Sequence, residues 1–250
     1  MKVLITGASS GIGKNFAKLL IHKYDELVLV ARNDERLKKL KEELNKIPNK
    51  RVKIIALDLS SRKNCEKLFE ENKDVDLLIN NAGFGDCGYF DKTDLDKDVD
   101  MINTNIVAVH VLTKLYLKEM LKHNKGHILN VGSIAGFLPG PLMATYYSTK
   151  SYVVRLSESI RAELKKQDTN VKISVLCPGP VKTNFEKTAN VQFQTSKANS
   201  YSVANYALKH LNKFYICPGF SSKITRIASK ILPNILLSKM VYKVQKRRIK

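Results

Sequence analysis

A tyrosine and a lysine four residues apart, Tyr146 and Lys150, are the side chains of this sequence best suited to acid–base chemistry. On a predicted helix this spacing places both side chains on one face, within mutual reach. A phenol with a pKa of about 10 is a poor acid–base group at neutral pH, but a neighbouring ammonium favours the phenolate and lowers that pKa. Tyr147 has no lysine four positions further on. Ser133 adds a hydroxyl that can hold a carbonyl or alcohol oxygen, although the Tyr–Lys spacing alone also fits a surface pair on a helix.

The stretch Thr6–Gly13, TGASSGIG, predicts a phosphate site where a strand runs into a helix. A helix that starts near Gly11 presents unpaired backbone N–H groups and the positive end of its dipole. The first glycine permits a tight turn, and the other two lack the Cβ atoms that would keep a pyrophosphate or the strand at a distance. A tight turn without a ligand is the alternative. The residues assigned to this site are Gly7, Ser9, Ser10, Gly11, Ile12 and Gly13.

Short apolar runs alternate with amphipathic stretches along the chain, which predicts a doubly wound α/β fold. The runs are rich in Val, Ile and Leu without polar alternation, as is typical of parallel strands covered by helices on both faces. Within Glu35–Leu44, leucines recur at helical spacing. A chain of 250 residues with 44% hydrophobic content favours a single domain, 1–250. The predicted strands are Lys2–Thr6, Glu26–Ala31, Arg51–Leu57, Val75–Asn80, Gly126–Val131 and Val171–Cys177.

Five motifs in order make the sequence resemble the short-chain dehydrogenase/reductase family over about residues 1–185. They are the turn T-G-x-x-x-G-x-G, the N-N-A-G of Asn80–Gly83, Ser133, the Y-x-x-x-K of Tyr146 and Lys150, and the P-G-x-V-x-T of Pro178–Thr183. Beyond Asn184 the likeness to the family is looser. Within the family, the sequence also resembles the branch that includes acyl and steroid ketone reductases. The resemblance implies a Rossmann-like fold and reversible hydride transfer between a nicotinamide and a substrate carbonyl carbon.

The resemblance also implies a role for each of these residues. Tyr146 would donate the proton in reduction, Ser133 would position the substrate oxygen, and Lys150 would tune Tyr146 and contact the nicotinamide ribose. Asn105, with Asn103 as the alternative, would hold the water that links Lys150 to solvent. No metal is implied, and no His or Cys cluster has ligand spacing. The other residues assigned to the cofactor are Asp58, Leu59, Asn81, Ala82, Gly83, Pro178, Gly179, Val181 and Thr183.

The residues after the second predicted strand favour NADP(H) over NAD(H). Ala31 stands where an NAD-selecting enzyme usually carries a carboxylate. Arg32 can form charge-assisted hydrogen bonds to a 2′-phosphate, with Lys14 as a helper. Two alternatives stay open here: Arg32 as a solvated loop residue, and Asp58 as the N-cap of the next helix.

The segment 184–220 is predicted to cover the substrate, because in the family the chain after P-G-x-V-x-T folds over it. Apolar residues in this segment and between Ser133 and Tyr146 indicate an apolar pocket for a fatty acyl, steroid or other lipid-like ketone. The same residues also fit packing within the cover or against a second subunit. They are Phe137, Leu138, Leu142, Met143, Phe185, Val191, Phe193, Tyr201 and Tyr206.

Positive charge is concentrated at the C-terminus. The formal net charge is +20, and from Lys187 to Lys250 there are thirteen basic and no acidic residues. Two apolar stripes accompanied by lysines predict amphipathic helices on either side of Pro233, in an extension 221–250 that we expect to bind an anionic membrane surface. Packing on the protein body or on a second subunit is the alternative. The stripes are Ile224, Ile227, Ala228 and Ile231, then Leu237, Met240, Val241 and Val244.

Composition adds expectations about location and partners. Four scattered cysteines without a C-x-x-C pair indicate reduced thiols in a cytoplasmic protein. The apolar run Val3–Ile5 is too short for a signal peptide, and no run approaches the roughly 18 residues of a membrane span. We expect a homo-oligomer, a dimer or a tetramer, and no nucleic-acid partner, since the basic tail carries no recognised motif. A regulatory or scaffold protein that binds NADP without chemistry is the second hypothesis, although Tyr146 and Lys150 are both present.

Overall fold

The computed structural model describes residues 1–191 and 197–247. Phe193, Arg248 and Lys250, which entered the predictions above, lie outside the described residues. The strands are β1 Lys2–Thr6, β2 Glu26–Ala31, β3 Arg51–Ala56, β4 Leu77–Asn80, β5 His127–Val131, β6 Lys172–Leu176, β7 Val181–Lys182, β8 Ala198–Asn199 and β9 Tyr215–Ile216. The helices are α1 Gly11–Leu20, α2 Asp34–Leu44, α3 Arg62–Glu70, α4 Leu95–Ile102, α5 Ala108–Lys122, α6 Ala144–Leu164, α7 Phe185–Thr188, α8 Ser200–Lys209, α9 Phe220–Ile231 and α10 Asn234–Lys246.

A parallel sheet of seven strands, in the order β3-β2-β1-β4-β5-β6-β9, crosses the described part of the chain. The doubly wound α/β fold predicted from the sequence is confirmed, and all six predicted strands are present. Four of them are one or two residues shorter than predicted, because the flanking residues lie outside the strand pairing of the sheet. The seventh strand, β9, has two residues and no periodicity that the sequence analysis could detect.

Both faces of the sheet are buried, which explains the unbroken apolar runs. Successive side chains of a strand point to opposite faces. On β1, Val3 and Ile5 pack into the cluster that contains Phe16 of α1, whereas Leu4 packs into the cluster that contains Tyr116 of α5. Strands that alternated apolar and polar residues would instead have indicated a sheet with one face exposed to solvent.

The strand order reverses beside β1, which lies between β2 and β4. The connections that follow the carboxyl ends of β1 and β4 therefore turn to opposite faces of the sheet, and a crevice opens between them. The glycine turn follows β1, and Asn81 follows β4. The topology thus brings the first and second predicted motifs to one point.

The C-terminal region contains two helices, α9 and α10, interrupted at Pro233 as predicted from the sequence. Pro233 has a φ of −60° and occupies the N-cap of α10. Its ring fixes this φ and removes a backbone donor, so the preceding helix ends before it. No helix in residues 1–191 and 197–247 has the length and apolar character needed to cross a membrane.

Candidate active site

The glycine turn forms a cradle in which three positions, Gly7, Gly11 and Gly13, require glycine. Gly7 and Gly11 have φ values of +63° and +54°, a region that other residues rarely adopt. A Cβ on Gly13 would lie 2.3 Å from the Gly7 carbonyl oxygen, and one on Gly11 would lie 2.9 Å from Thr183 Cγ2. The first turn of α1 carries no acidic side chain. This geometry fits a pyrophosphate held at the helix N-terminus.

Thr6 and Asn81 fasten the ends of β1 and β4 together beside this cradle. Thr6 Oγ1 accepts hydrogen bonds of 2.9 Å from the backbone N–H groups of Asn81 and Ala82. The Asn81 side-chain amide donates to the carbonyl oxygens of Thr6 and Gly7, at 2.9 and 3.2 Å. The first residue of the T-G motif, which the sequence analysis used only as a strand end, therefore fixes the crevice geometry.

Ser133, Tyr146 and Lys150 come together at the carboxyl edge of the sheet. Ser133 caps a short 3₁₀ turn, and its Oγ accepts a hydrogen bond of 3.1 Å from Ala135 N–H. The side chains of Tyr146 and Ser133 line the same part of the cleft, close enough for Ser133 to lower the pKa of the Tyr146 hydroxyl. One turn further along α6, Lys150 Nζ lies 5.9 Å from the centre of the Tyr146 ring and donates to the Val131 carbonyl oxygen at 3.0 Å.

Burial shifts the pKa values of both acid–base groups towards their neutral forms. It raises the pKa of Tyr146 well above its usual value of 10, against a smaller lowering by the nearby Ser133. It also lowers the pKa of Lys150 to about 8. The expectation that Lys150 would lower the pKa of Tyr146 is therefore wrong for the protein alone, because desolvation dominates and the ammonium bonds to a carbonyl oxygen.

Asn105 lies directly behind this group, in a π-helical turn, Asn103–Val107, between α4 and α5. Its side chain is fully buried. The amide accepts from Phe84 N–H at 3.1 Å and donates to the Phe84 carbonyl at 2.8 Å. A Cβ on Gly83 would lie 2.8 Å from Asn105 Oδ1 and 3.4 Å from Lys150 Nζ, so Asn105 is next to the lysine. This placement favours Asn105 over the alternative Asn103.

Two arginines, Arg32 and Arg36, line the outer end of the crevice. Neither has a carboxylate partner within the described residues. The suggested helper Lys14 does not reach this end, because its ammonium lies 3.7 Å from Glu43. Sequence analysis missed Arg36, which lies in the first turn of α2, close along the chain to Arg32.

Asp58 also lines the crevice and does not cap a helix. Its Oδ1 accepts a hydrogen bond of 2.9 Å from Ser60 N–H, while Ser61 occupies the N-cap of α3. The alternative assignment of Asp58 as the N-cap is therefore wrong. Leu59 beside it is buried and lines the same crevice.

The crevice continues past Tyr146 into an apolar chamber, and together they form a cleft of about 1000 Å³. All residues assigned to the cofactor line this cleft except Gly13, which packs against Gly7 behind the wall. Near Tyr146 the chamber wall includes Phe185 of α7, whose ring centre is 5.1 Å from that of Tyr146. Leu138, Met143, Asn184 and Thr188 also contribute.

Among the described residues, most of the chamber roof comes from α9 and α10 rather than from the predicted cover, 184–220, of which the structure describes 184–191 and 197–220. In that cover, α8 packs against the core beside α1, Tyr206 stacks on His210, and Tyr201 is exposed. Phe137 packs on Tyr215, Val191 packs in a small cluster with Met143, and Leu142 faces a separate small cavity. The roof residues are Ser221, Ile224, Thr225, Ala228, Leu232, Leu237, Met240, Val241, Val244 and Gln245.

Gln245 joins α10 to α6. Its side chain is buried in α10, and its Nε2 donates to the Tyr147 hydroxyl at 2.6 Å. Tyr147 is fixed in turn, because its ring lies over Gly140, where a Cβ would approach Tyr147 Cγ to 2.0 Å. The hydrogen bond therefore holds the roof next to Tyr146.

A parallel sheet with a glycine cradle at its switch point defines the dinucleotide-binding class of α/β proteins. The chain belongs to the short-chain dehydrogenase family: the family profile, described as short chain dehydrogenase, matches residues 1–193. The very-long-chain 3-oxoacyl-CoA reductase of Anas platyrhynchos is 33% identical over 205 residues, which cover 79% of this chain and 65% of that protein. The chain thus spans less than two thirds of the length of that relative.

Solved structures share the same architecture over most of their length. A short-chain dehydrogenase from Sphingobium yanoikuyae in complex with NADPH has a TM-score of 0.84 at 25% identity, covering 92% of this chain and 93% of its own. A short-chain dehydrogenase/reductase from Burkholderia phymatum in complex with NAD has a TM-score of 0.82 at 25% identity, covering 90% of this chain and 91% of its own.

Proposed function

We propose that this protein is an NADP(H)-dependent oxidoreductase that interconverts a carbonyl and a secondary alcohol on an apolar, lipid-like substrate. The observation that carries the proposal is the position of the Ser133–Tyr146–Lys150 group, where the glycine-lined crevice meets the apolar chamber. A scaffold protein without chemistry is the less favoured alternative, because it has no need of an acid–base pair at this junction.

In this mechanism the chain positions the substrate and moves a proton. When bound, the nicotinamide supplies or accepts the hydride. Ser133 and Tyr146 hydrogen-bond the substrate oxygen, and the neutral phenol, kept protonated by burial, gives its proton to that oxygen during reduction. The nearby Lys150 ammonium stabilises the phenolate left behind. Asn105 holds the water through which Lys150 exchanges protons with solvent.

The chamber supports an elongated apolar substrate. Aliphatic and aromatic side chains form most of its wall and roof, and the buried polar groups cluster near Tyr146. Each methylene moved from water into such a chamber contributes about 0.8 kcal/mol to binding, or roughly a fourfold gain in affinity. The similarity to a very-long-chain 3-oxoacyl-CoA reductase supports an acyl-like ketone.

We expect kcat/KM for ketone reduction to rise about fourfold per methylene until the chamber is filled. The measurement is NADPH oxidation against a series of ketones of increasing chain length. Tyr146→Phe protein, tested with the same series, controls for oxidation that does not involve the active site. Rates that do not depend on chain length would contradict an apolar substrate, and NADPH binding without turnover of any ketone would favour the scaffold alternative.

The preference for NADP(H) is proposed from the charges at the outer end of the crevice. Ala31 leaves the carboxyl end of β2 without a carboxylate, and Arg32 and Arg36 line the crevice beside it, where we expect a ribose phosphate to bind. Both arginines suit bidentate phosphate binding. A related structure contains NADPH, and another contains NAD, so the support comes from the side chains at this end.

We expect wild-type protein to prefer NADPH, and Arg32→Asp to reverse the preference, because the change removes attraction and adds repulsion towards the 2′-phosphate. The measurement is kcat/KM with NADPH and with NADH for both proteins. Arg51→Asp is a matched control, because Arg51 is an exposed arginine at the opposite end of the strands. Equal use of both cofactors by the wild type would show that Arg32 is only a solvated loop residue.

We also propose that the enzyme acts at the surface of a membrane, in the cytoplasm, as a homo-oligomer. An apolar chamber roofed by basic helices supports the first part. The cellular location and the oligomeric state rest on sequence and family resemblance alone and stay predictions.

A further inference from the structure

We propose that α9 and α10 bind the surface of an anionic lipid membrane so that the chamber opens towards the bilayer, and that the apolar substrate enters directly from the lipid. The second half of this proposal rests on the proposed function. The first half, membrane binding, rests only on the exposed side chains of α9 and α10. The sequence analysis predicted membrane binding through two complete apolar stripes, but the structure divides these stripes between the chamber and the solvent.

An apolar ridge runs along the outside of α9 and continues into the first turn of α10. Its α9 members recur at helical spacing, four, three and four residues apart, and so lie on one face. Ile231 and Ile235, on either side of Pro233, are 75% and 73% exposed. Isolated apolar side chains on a surface need no explanation, but a continuous row indicates a binding surface. The ridge consists of Phe220, Ile224, Ile227, Ile231, Ile235 and Leu236.

The ridge shares an edge with the chamber. Ala228 and Leu237 line the chamber, so α9 and α10 present apolar side chains both inwards and outwards. Ile224, Met240 and Val244 line the chamber and are also exposed to solvent. The chamber therefore opens to solvent at these three side chains, beside the ridge, and we call this opening the mouth. A surface that binds the ridge would lie directly against that mouth.

Charge identifies the partner as an anionic surface. Between residues 220 and 247 every charged side chain is basic. The lysines of this segment are exposed and make no ion pair with the carboxylates that the structure describes. Each basic residue near an anionic leaflet contributes about 1 kcal/mol of attraction, which adds to the burial of the ridge. The lysines concerned are Lys223, Lys230, Lys239, Lys243 and Lys246.

The same features disfavour other occupants. Single-stranded nucleic acid would stack on exposed aromatic rings, but five of the six ridge side chains are aliphatic. A second copy of this chain would bring two sets of unpaired lysines together, and like charges oppose such a contact. An anionic lipid surface can bury the apolar ridge and attract the lysines at the same time.

The first experiment is flotation of the full chain with vesicles of phosphatidylcholine, with and without phosphatidylserine, at low and high salt. We expect binding only to the anionic vesicles, weakened by salt because it screens the lysines. The double variant Lys230→Gln/Lys239→Gln should bind roughly twenty-fivefold more weakly, or about fivefold for each lysine removed. Ile231→Glu/Ile235→Glu should bind at least tenfold more weakly, because it loses ridge burial and adds negative charge.

Leu95→Glu/Val99→Glu is the matched control, since Leu95 and Val99 are exposed apolar side chains of α4, 75% and 45% exposed, and lie outside the ridge. It should bind vesicles like the wild type. Wild-type protein that stays unbound to anionic vesicles would overturn the proposal, and so would equal losses in the ridge and control variants. A ridge variant that dissociates a dimer in sedimentation, with vesicle binding unchanged, would assign the ridge to a second copy instead.

The second experiment separates delivery from catalysis. Reduction of a short water-soluble ketone should be equal in the wild type and in Ile231→Glu/Ile235→Glu, because neither ridge residue lines the cleft. Reduction of a long-chain ketone embedded in anionic vesicles should fall at least tenfold in the ridge variant. An equal rate with the embedded ketone would overturn delivery from the lipid. If neither ketone is reduced by the wild type, the proposed function fails, and the flotation result still decides whether the ridge binds membranes.

Discussion

Replacing Tyr146 by phenylalanine should lower kcat for ketone reduction by about 10²–10⁴-fold, the range typical of a general acid. The variant loses only the hydroxyl, whose pKa is affected by the nearby Ser133. The ring keeps its contacts with Phe185 and Tyr147, at centre-to-centre distances of 5.1 and 6.1 Å. Cofactor affinity should therefore stay nearly unchanged.

The checking measurements are turnover with saturating cofactor and the Kd for NADPH by fluorescence titration. Tyr147→Phe is a close control, because it removes a hydroxyl from the neighbouring position of the same chamber, where that hydroxyl accepts a hydrogen bond from Gln245. We expect it to keep more than a tenth of wild-type turnover. If Tyr146→Phe retains that much as well, the proton comes from another group.

Lys150→Met should cause a larger loss of turnover than Tyr146→Phe and should also weaken cofactor binding. The change removes the ammonium that stabilises the phenolate, and it removes a proposed contact to the nicotinamide ribose. Turnover and the NADPH Kd, measured side by side, distinguish this result from that of Tyr146→Phe. Wild-type cofactor affinity in Lys150→Met would contradict the ribose contact.

The pH dependence of unfolding gives an independent readout for Lys150. Burial lowers its pKa to about 8 in the folded protein, whereas an unfolded lysine titrates near 10.4. Between these values the unfolded chain binds more protons, so the free energy of unfolding of the wild type should rise with pH relative to Lys150→Met. The slope should reach about 1.4 kcal/mol per pH unit at most. Parallel curves between pH 7.5 and about 10 would mean that this lysine is not desolvated.

Local features of the sequence predicted the fold and much of the site. The apolar runs identify buried strands because a parallel sheet hides both faces of each strand, as Val3 and Leu4 illustrate. The Tyr146–Lys150 spacing is a property of one helix, and the glycine turn is a property of eight consecutive residues. None of these predictions needs a distant part of the chain.

Features that depend on distant contacts were missed or mistaken. The pKa of Tyr146 rises because the surrounding chain excludes water, which the spacing to Lys150 cannot show. Gln245 reaches Tyr147 across 98 positions of sequence, and no short pattern predicts that contact. The apolar stripes of the C-terminal helices were recognised, but a stripe alone does not say whether it faces a chamber or a membrane.

Under the proposed function, the roof built by α9 and α10 places the residues that contact the substrate in a different part of the chain from the residues that carry out the chemistry. The family profile ends at residue 193, whereas most of the described roof residues lie between residues 221 and 245. Substitutions in this last stretch can reshape the chamber without altering Ser133, Tyr146, Lys150 or the glycine cradle. We therefore expect a lineage to acquire new substrates by changing this one pair of helices, and an engineer to do the same by grafting a different pair onto the same sheet and glycine cradle.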